Sequence, residues 1–131
     1  MIGFGHPIAA TADVTTSETT TSTSYTDLST VGPAVTLTPG RTTDQMIVVS
    51  ADGFTNSANN TAHASVAIAG AAASDVNAWS VSAGSVSAGN RGSAATLSTS
   101  VANGSTHTMK YRVTAGTGTF GNRRISAFTL L

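Results

Sequence analysis

The stretch Thr106–Thr114 reads THTMKYRVT, and large apolar or aromatic side chains alternate along it with polar ones. The first set of alternate positions holds His107, Met109, Tyr111 and Val113. The second set holds Thr108, Lys110, Arg112 and Thr114. Because successive side chains of a β-strand point to opposite faces, this period of two predicts a half-buried strand with the first set inward.

Shorter segments of β character recur along the rest of the chain, separated by Gly, Pro and Asn. The predicted strands are Thr20–Leu28, Ala34–Leu37, Met46–Ser50, Ser65–Ala69, Ala78–Ser82, Ala94–Val101 and Arg124–Leu131. No segment shows a helical repeat. About eight strands at this spacing predict one all-β domain, an antiparallel sandwich or barrel. The pentapeptide SVSAG occurs twice in succession, at 80–84 and 85–89, which indicates a lengthened loop or hairpin.

The polar tract Ser17–Leu28, SETTTSTSYTDL, is either disordered or a strand that faces water. Disorder is typical of low hydrophobicity combined with high net charge, whereas this chain is 40% hydrophobic with a net charge of zero. Threonine also favours strands. We therefore predict that Thr20–Leu28 is a solvent-facing edge strand whose open edge invites pairing with a neighbouring subunit.

The few charges are distributed unevenly. All six acidic residues precede position 76, and five of the six basic residues follow position 90. These halves either offset one another within the fold or provide charge complementarity between subunits. Five bases make only a thin basic patch, which disfavours a nucleic-acid partner. Neither a signal peptide nor an apolar run of membrane-spanning length is present in the sequence, so we expect no membrane partner.

Residues for catalysis or metal binding are present but not arranged in any motif. The chain has no cysteine, which excludes disulfides and thiolate metal sites. The G-x-S-x-G motif is absent, and His6, His63 and His107 lack metal-ligand spacing. We expect no enzymatic activity, cofactor or metal; the alternative is a metal or anion site formed by three copies of an exposed His63 around a trimer axis. The aromatic residues considered for stacking on a sugar, with packing favoured for each, are Tyr25, Trp79, Tyr111 and Phe120.

Two stretches resemble a known family. Thr21–Leu37 (TSTSYTDLSTVGPAVTL) and Tyr111–Leu131 (YRVTAGTGTFGNRRISAFTLL) are similar to a β-sandwich module of tailed-bacteriophage virion proteins. In that module a Thr/Ser run precedes Y-x-D-L and G-P-x-V-T-[LV], and the last strand carries G-T-G-T-F-x-N-R-R-[IL]. The resemblance implies a jelly-roll-like sandwich, homo-oligomerisation and a place in the virion, which suits assembly in the host cytoplasm and release by lysis. It implies no catalytic residues.

These observations favour a capsid decoration protein that binds the head shell, through the major capsid protein or another virion protein, and stabilises it. One alternative is a tail-tip or receptor-binding module that recognises a host surface polymer. A second is a carbohydrate-binding or adhesin module.

Residues 1–16 show no periodicity, so we predict an extended arm there and a sandwich domain at 17–131. The arm carries large apolar side chains, and we expect Phe4 and Ile8 to anchor it on a neighbouring virion protein or an adjacent copy. We further expect a trimer, with at least one of Arg112, Arg123 and Arg124 at the contact between subunits.

Overall fold

A computed structural model describes residues 7–82 and 90–130 of the chain. In this part, nine strands and two short 3₁₀ helices follow one another. The elements are β1 (Ala9–Val14), β2 (Glu18–Thr20), β3 (Ala34–Thr36), β4 (Thr43–Thr55), β5 (Ala62–Ala67), η1 (Ile68–Gly70), η2 (Asp75–Asn77), β6 (Trp79–Val81), β7 (Asn90–Val101), β8 (Thr106–Val113) and β9 (Gly118–Leu130). The whole second SVSAG copy and the last two residues of the first lie outside the described residues.

The strands form two antiparallel sheets that pack face to face. One sheet has the order β1–β9–β4–β7, with β2 also pairing with β9, and the other has the order β3–β8–β5–β6. In each sheet an early strand thus neighbours a late one, β1 beside β9 and β3 beside β8, as in a jelly roll. The predicted all-β, jelly-roll-like sandwich is confirmed.

Strand β8 shows the alternation predicted from its sequence. Met109, Tyr111 and Val113 are fully buried between the sheets, and so is His107. Lys110 and Arg112 lie on the outer face with partly exposed side chains. The Tyr111 ring lies against Phe120 of β9, with 4.9 Å between centroids. A ring pair of this kind adds to the apolar burial that holds the two sheets together.

The buried histidine of β8 is held by hydrogen bonds on both ring nitrogens. The Ala69 amide donates to His107 Nδ1 at 3.1 Å, which leaves Nε2 to donate to Gln45 Oε1 at 2.8 Å. Gln45 in turn donates to Thr43. Burial lowers the pKa of His107, because the charged imidazolium loses its hydration there. The inward position predicted for His107 is confirmed.

The predicted edge strand Thr20–Leu28 is not one strand. Its first residue ends β2, which pairs with β9 in the first sheet, whereas Thr26 forms a single bridge with Tyr111 in the second sheet. Between them, the Ser22 hydroxyl bonds the Ser24 carbonyl and amide, closing a tight turn. Serine hydroxyls compete with strand ladders for backbone partners in this way. The tract is therefore ordered, but it crosses from one sheet to the other.

Part of the predicted arm is a strand of the sandwich. Strand β1 pairs with β9 over six residues, from Ala9 opposite Phe128 to Val14 opposite Arg123. Just before it, Ile8 exchanges hydrogen bonds with Thr129 and packs against the core. The half-buried positions of β1 are mostly alanine, whose small side chain gives a weak alternation signal in the sequence. Residues 8–14 therefore belong to the folded domain.

Candidate interaction surfaces

The acidic first part of the sequence and the basic last part form ion pairs with each other within the folded chain. Five ion pairs occur among the described residues, and each joins an acid from the first 75 positions to a base beyond position 90. The pairs are Asp13–Arg124, Glu18–Arg123, Asp27–Lys110, Asp52–Arg91 and Asp75–Arg112. Asp44 accepts a hydrogen bond from the Ser100 amide instead. The two oppositely charged halves therefore offset one another in the fold.

Arg123, one of the predicted inter-subunit residues, is completely buried. Its guanidinium donates to Glu18 at 2.6 Å and to the Gly32 carbonyl at 3.0 Å, and it lies 5.2 Å from the centre of the Tyr111 ring. A neighbouring subunit has no access to this side chain. The sequence carried a signal for this burial, because Arg123 is in phase with Ile125 and Ala127, the inward positions of β9.

Arg124 and Arg112, the other two predicted inter-subunit residues, lie on opposite outer faces of the sandwich. Arg124 pairs with Asp13 and keeps 54% of its side chain exposed. Arg112 pairs with Asp75, which also accepts a hydrogen bond from the Tyr25 hydroxyl at 2.6 Å. The pKa of the Asp75 carboxyl lies well below its usual range, mainly because of the hydrogen bond from Arg112 and secondly because of the one from Tyr25. Both arginines are accessible at a surface.

His63 lies beside this cluster, and it is not exposed, which the alternative of a three-histidine site around a trimer axis required. Only 9% of the residue is accessible, and its Nδ1 lies 2.6 Å from the Ser80 hydroxyl on the adjacent strand. Burial, and to a smaller extent the nearby Arg112 charge, lowers the pKa of His63. The neutral ring therefore acts as a packed strand residue. Among the described residues, His, Asp and Glu form no cluster of three or more that could hold a metal ion.

Three of the aromatic residues considered for sugar stacking are engaged in packing. Tyr111 and Phe120 are buried between the sheets. Trp79 lies across one side of the sandwich, where its indole touches the backbone of Gly92 in β7 and Gly53 in β4. Tyr25 belongs to the surface cluster with Arg112, whose guanidinium lies 5.6 Å from its ring centre. Burial, together with the bond to Asp75, raises the pKa of the Tyr25 hydroxyl.

The outer face of the first sheet carries a row of apolar side chains. Ala9, Phe128, Met46 and Leu97 are successive cross-strand neighbours from β1 to β7, and Leu130 adjoins them at the end of β9. We call these five residues the apolar band. Leu97 is 53% exposed, and Phe128 and Leu130 are 37% and 36% exposed. Contiguous exposed apolar surface of this kind typically marks an interaction site. The sequence pattern does not reveal this band, because its residues have the character of ordinary core positions.

A polar cleft lies beside the apolar band, further along the same face. Its volume is about 390 Å³, and it is lined by the paired side chains Asp13, Arg124, Asp52 and Arg91 together with Asn122. The pairing of β4 with β9 shifts register here, and Asn122 adopts a left-handed conformation with φ 44°. Because each charge lining the cleft has an opposite partner, the cleft is polar without excess charge.

Of the two predicted anchors, Phe4 and Ile8, the structure describes only Ile8. Phe4 lies outside the described residues. Ile8 packs partly buried against the core of its own domain, next to Thr129. Within residues 7–82 and 90–130, no helix has the length and apolarity needed to cross a membrane.

Comparison with known proteins shows similarity of fold. No protein-family model matches the sequence, and no curated protein matches it. A chain from the structure of infectious bursal disease virus Gx strain aligns with a TM-score of 0.55 and 10% identity, over 94% of this chain and 32% of that one. The present chain thus spans about a third of the length of that viral chain. A chain from the T=1 particles derived from infectious bursal virus gives a TM-score of 0.53 at 10% identity, with the same coverage.

The sandwich is also similar to a second kind of solved chain, over nearly the full length of both chains. The structure of Eiger TNF from S. frugiperda aligns with a TM-score of 0.53 and 13% identity, covering 95% of this chain and 93% of that one. At these identities the likeness establishes the architecture alone. This chain has a β-sandwich architecture shared by chains of virus particles and by a TNF protein.

Proposed function

We propose that this chain is a structural protein of a tailed-bacteriophage virion, and specifically a capsid decoration protein that binds and stabilises the head shell. The observation that carries the proposal is the apolar band on the outer face of the first sheet. The sandwich architecture shared with chains of virus particles supports it, as does the sequence resemblance to the phage module. The proposal includes no catalytic activity, cofactor or nucleic-acid contact.

The apolar band suits attachment to a protein shell for a physical reason. Phe128 and Leu97 stand on a rigid sheet, so little side-chain and backbone freedom remains to be lost on binding. Burying either side chain fully contributes about 1.5–3 kcal/mol. The charges beside the band are already paired within the chain, so a partner does not have to supply opposite charges. Large side chains in the centre of a polar rim are the usual anchors of protein interfaces.

Homo-oligomerisation as a trimer is part of the proposal. A domain with this much exposed apolar surface gains stability by covering part of it with further copies or with shell subunits. Arg124 adjoins the band and Arg112 lies on the opposite face, so these two remain the arginine candidates for contacts between subunits.

The alternative of a tail-tip module that recognises a host surface polymer rests on the polar cleft. Its paired carboxylates and guanidinium groups, with the Asn122 amide, offer hydrogen-bond donors and acceptors without net charge, which suits a sugar polymer. The cleft supports the carbohydrate-binding or adhesin alternative equally. Mass spectrometry of purified particles separates the first two readings: a decoration protein is present in many copies per head, whereas a tail-tip protein is present in a few. A glycan array tests the sugar-binding alternatives.

The attachment surface is tested by rebinding. Heads stripped of the native protein are mixed with the purified chain, and the bound fraction is measured by co-sedimentation. The double variant that combines Leu97→Ser and Phe128→Ser is expected to lose most of its binding to the stripped heads while remaining folded. Val76→Ser is the matched control, because Val76 is a 91% exposed apolar residue outside the band. Equal binding by both variants would contradict attachment through the band.

A further inference from the structure

A groove of about 560 Å³ runs along the last part of β7. Five consecutive residues of the chain, Ser98–Ala102, line it. Because successive side chains of a strand point to opposite faces, a cavity that touches five residues in a row must follow the strand edge. The opposite wall is formed by the end of β5, by η1 and by the loop after it.

The edge of β7 that borders this groove is open. Strand β7 is the last strand of the first sheet, and β4 is its only ladder partner in the described chain. The ladder also becomes irregular here: Ser98 pairs with Gln45 and Val101 with Thr43, while Thr99 and Ser100 fall in the register shift. An unpaired strand edge offers backbone donors and acceptors to an added strand.

The walls of the groove leave room for large side chains. Small residues supply most of the lining, among them Ala69, Ala71, Ala72 and Ala102. Val66 and Ile68 add apolar surface beside them. An extended segment that carries bulky apolar side chains at every second position, with small residues between, complements a groove of this shape.

The chain itself contains such a segment. Residues 1–6 read MIGFGH, in which Ile2 and Phe4 alternate with Gly3 and Gly5. We propose that residues 1–6 of one copy add as a strand to the β7 edge of a second copy, with Ile2 and Phe4 in the groove. This inference rests on the self-association included in the proposed function, and it names the contact that produces it.

A second copy is required because the groove of the same chain is too far away. Ala9, Phe128, Met46 and Leu97 are neighbours across the sheet, so β1 and β7 are separated by three strand spacings, about 14 Å. If residues 2–5 lie along β7, only His6 and Pro7 remain to cross that distance. The three steps from Gly5 to Ile8 span about 10 Å at full extension, which is short of that distance.

The proposed strand exchange is compatible with the trimer included in the proposed function. Residue 9 and the groove lie at the same end of the sheet but on its opposite edges. Each copy then donates a strand at one edge and accepts a strand at the other, which is a heterologous contact. Contacts of this type close into rings when the rotation between subunits permits, and the proposed trimer is one such ring.

Disulfide cross-linking tests the proposal. The sequence contains no native cysteine, so any disulfide that forms must involve the introduced residues. Gly3→Cys or Gly5→Cys protein is mixed with Ser98→Cys, Thr99→Cys or Ser100→Cys protein under mild oxidation. We expect at least one pair to give a covalent dimer on a non-reducing gel. The control partner is Asn59→Cys. Asn59 is exposed in the turn after β4, whereas the groove lies near the beginning of β4. Yields no higher than those of the control for all pairs would overturn the proposal.

Two further outcomes identify a different occupant of the groove. If Thr99→Cys protein alone dimerises as fast as the mixtures, β7 pairs with another β7, and the proposal fails. If a variant that carries both cysteines in one chain cross-links internally in dilute solution, residues 1–6 dock on their own domain. That result would overturn the proposed exchange between copies. Adding Phe4→Ser to the cysteine variant is expected to slow cross-linking about tenfold or more, whereas adding Val76→Ser leaves the rate unchanged.

The cross-linking result is independent of attachment to heads. It uses the isolated protein, while the rebinding assay measures the apolar band. Rebinding without cross-linking would overturn the strand exchange alone, and cross-linking without rebinding would overturn the decoration proposal alone.

Discussion

The guanidinium of Arg123 in β9 donates a hydrogen bond of 2.6 Å to the carboxylate of Glu18 in β2. The arginine side chain is fully buried, and the glutamate side chain is 12% exposed. Arg123 also donates to the Gly32 carbonyl, which in addition accepts a bond from the Tyr111 hydroxyl. One ion pair thus joins the tract after β1 to the last strand and to the centre of the second sheet.

Removing the negative partner of this pair is expected to destabilise the fold strongly. Glu18→Gln leaves the Arg123 charge buried without a counter-ion, which is far more costly than loss of a surface pair. The matched control is Asp13→Asn, which removes the partner of the half-exposed Arg124. Urea denaturation is expected to show a much lower midpoint for Glu18→Gln than for Asp13→Asn. Similar midpoints would contradict the burial of Arg123.

Substitutions on the two faces of β8 are expected to differ in cost. Met109→Ala leaves a cavity in the core and should lower the free energy of unfolding by about 2–5 kcal/mol. Lys110→Ala removes a partly exposed pair with Asp27, for which the expected loss is under about 1 kcal/mol. Both values come from denaturant unfolding of the purified variants. Equal losses would show that the strand register is wrong.

The side of the sandwich closed by Trp79 is expected to be sensitive to added volume. A Cβ atom at Gly92 would lie 1.6 Å from the indole nitrogen, so Gly92→Ala must displace the ring. Overpacking of this kind costs about 1–3 kcal/mol. Because the chain has one tryptophan, its fluorescence maximum reports the displacement directly. In the control Gly118→Ala, the new atom meets neighbours at 3.4 Å or more, and the emission should stay unchanged.

Stability is expected to fall as the pH drops below about 6.5. Burial lowers the pKa of His107 in the folded chain below its ordinary value of 6.5. Between the folded and unfolded pKa values the unfolded chain binds the extra proton, so acid favours unfolding. His63 acts in the same direction. Urea unfolding at pH 7.5 and pH 5 measures the loss, and His107→Gln should reduce it; an unchanged dependence in the variant would exclude His107 as a cause.

Two truncations are expected to separate the folded part of the first sixteen residues from the remainder. Deleting residues 1–6 leaves all six pairs between β1 and β9 in place, so in solutions dilute enough to keep both proteins monomeric the thermal midpoint should remain close to that of the full chain. Deleting residues 1–16 removes β1 and opens the edge of β9, so the midpoint should fall clearly. If the longer deletion melts like the full chain, β1 contributes nothing to the domain.

Much of the sandwich followed from the sequence, but some elements did not. The alternation in β8 and the apolar run in β4 are local patterns, and both strands formed where they were expected. β1 and the Thr/Ser tract were misjudged because alanine and serine give little contrast between an inner and an outer face. The apolar band was overlooked for a related reason: alternation shows that two sets of side chains face opposite ways, but not whether a second layer covers both.

The sequence by itself determined that the chain is one β domain, and it determined which side chains of its clearest strand point inward. That information is local, since each residue fixes the direction of the next along an extended backbone. Only the tertiary structure decided which charges pair, that Arg123 is buried, and that β7 has no second ladder partner among residues 7–82 and 90–130, beside a groove. Those properties depend on the order of strands in each sheet, which brings together residues as far apart as Glu18 and Arg123 and which no local pattern specifies.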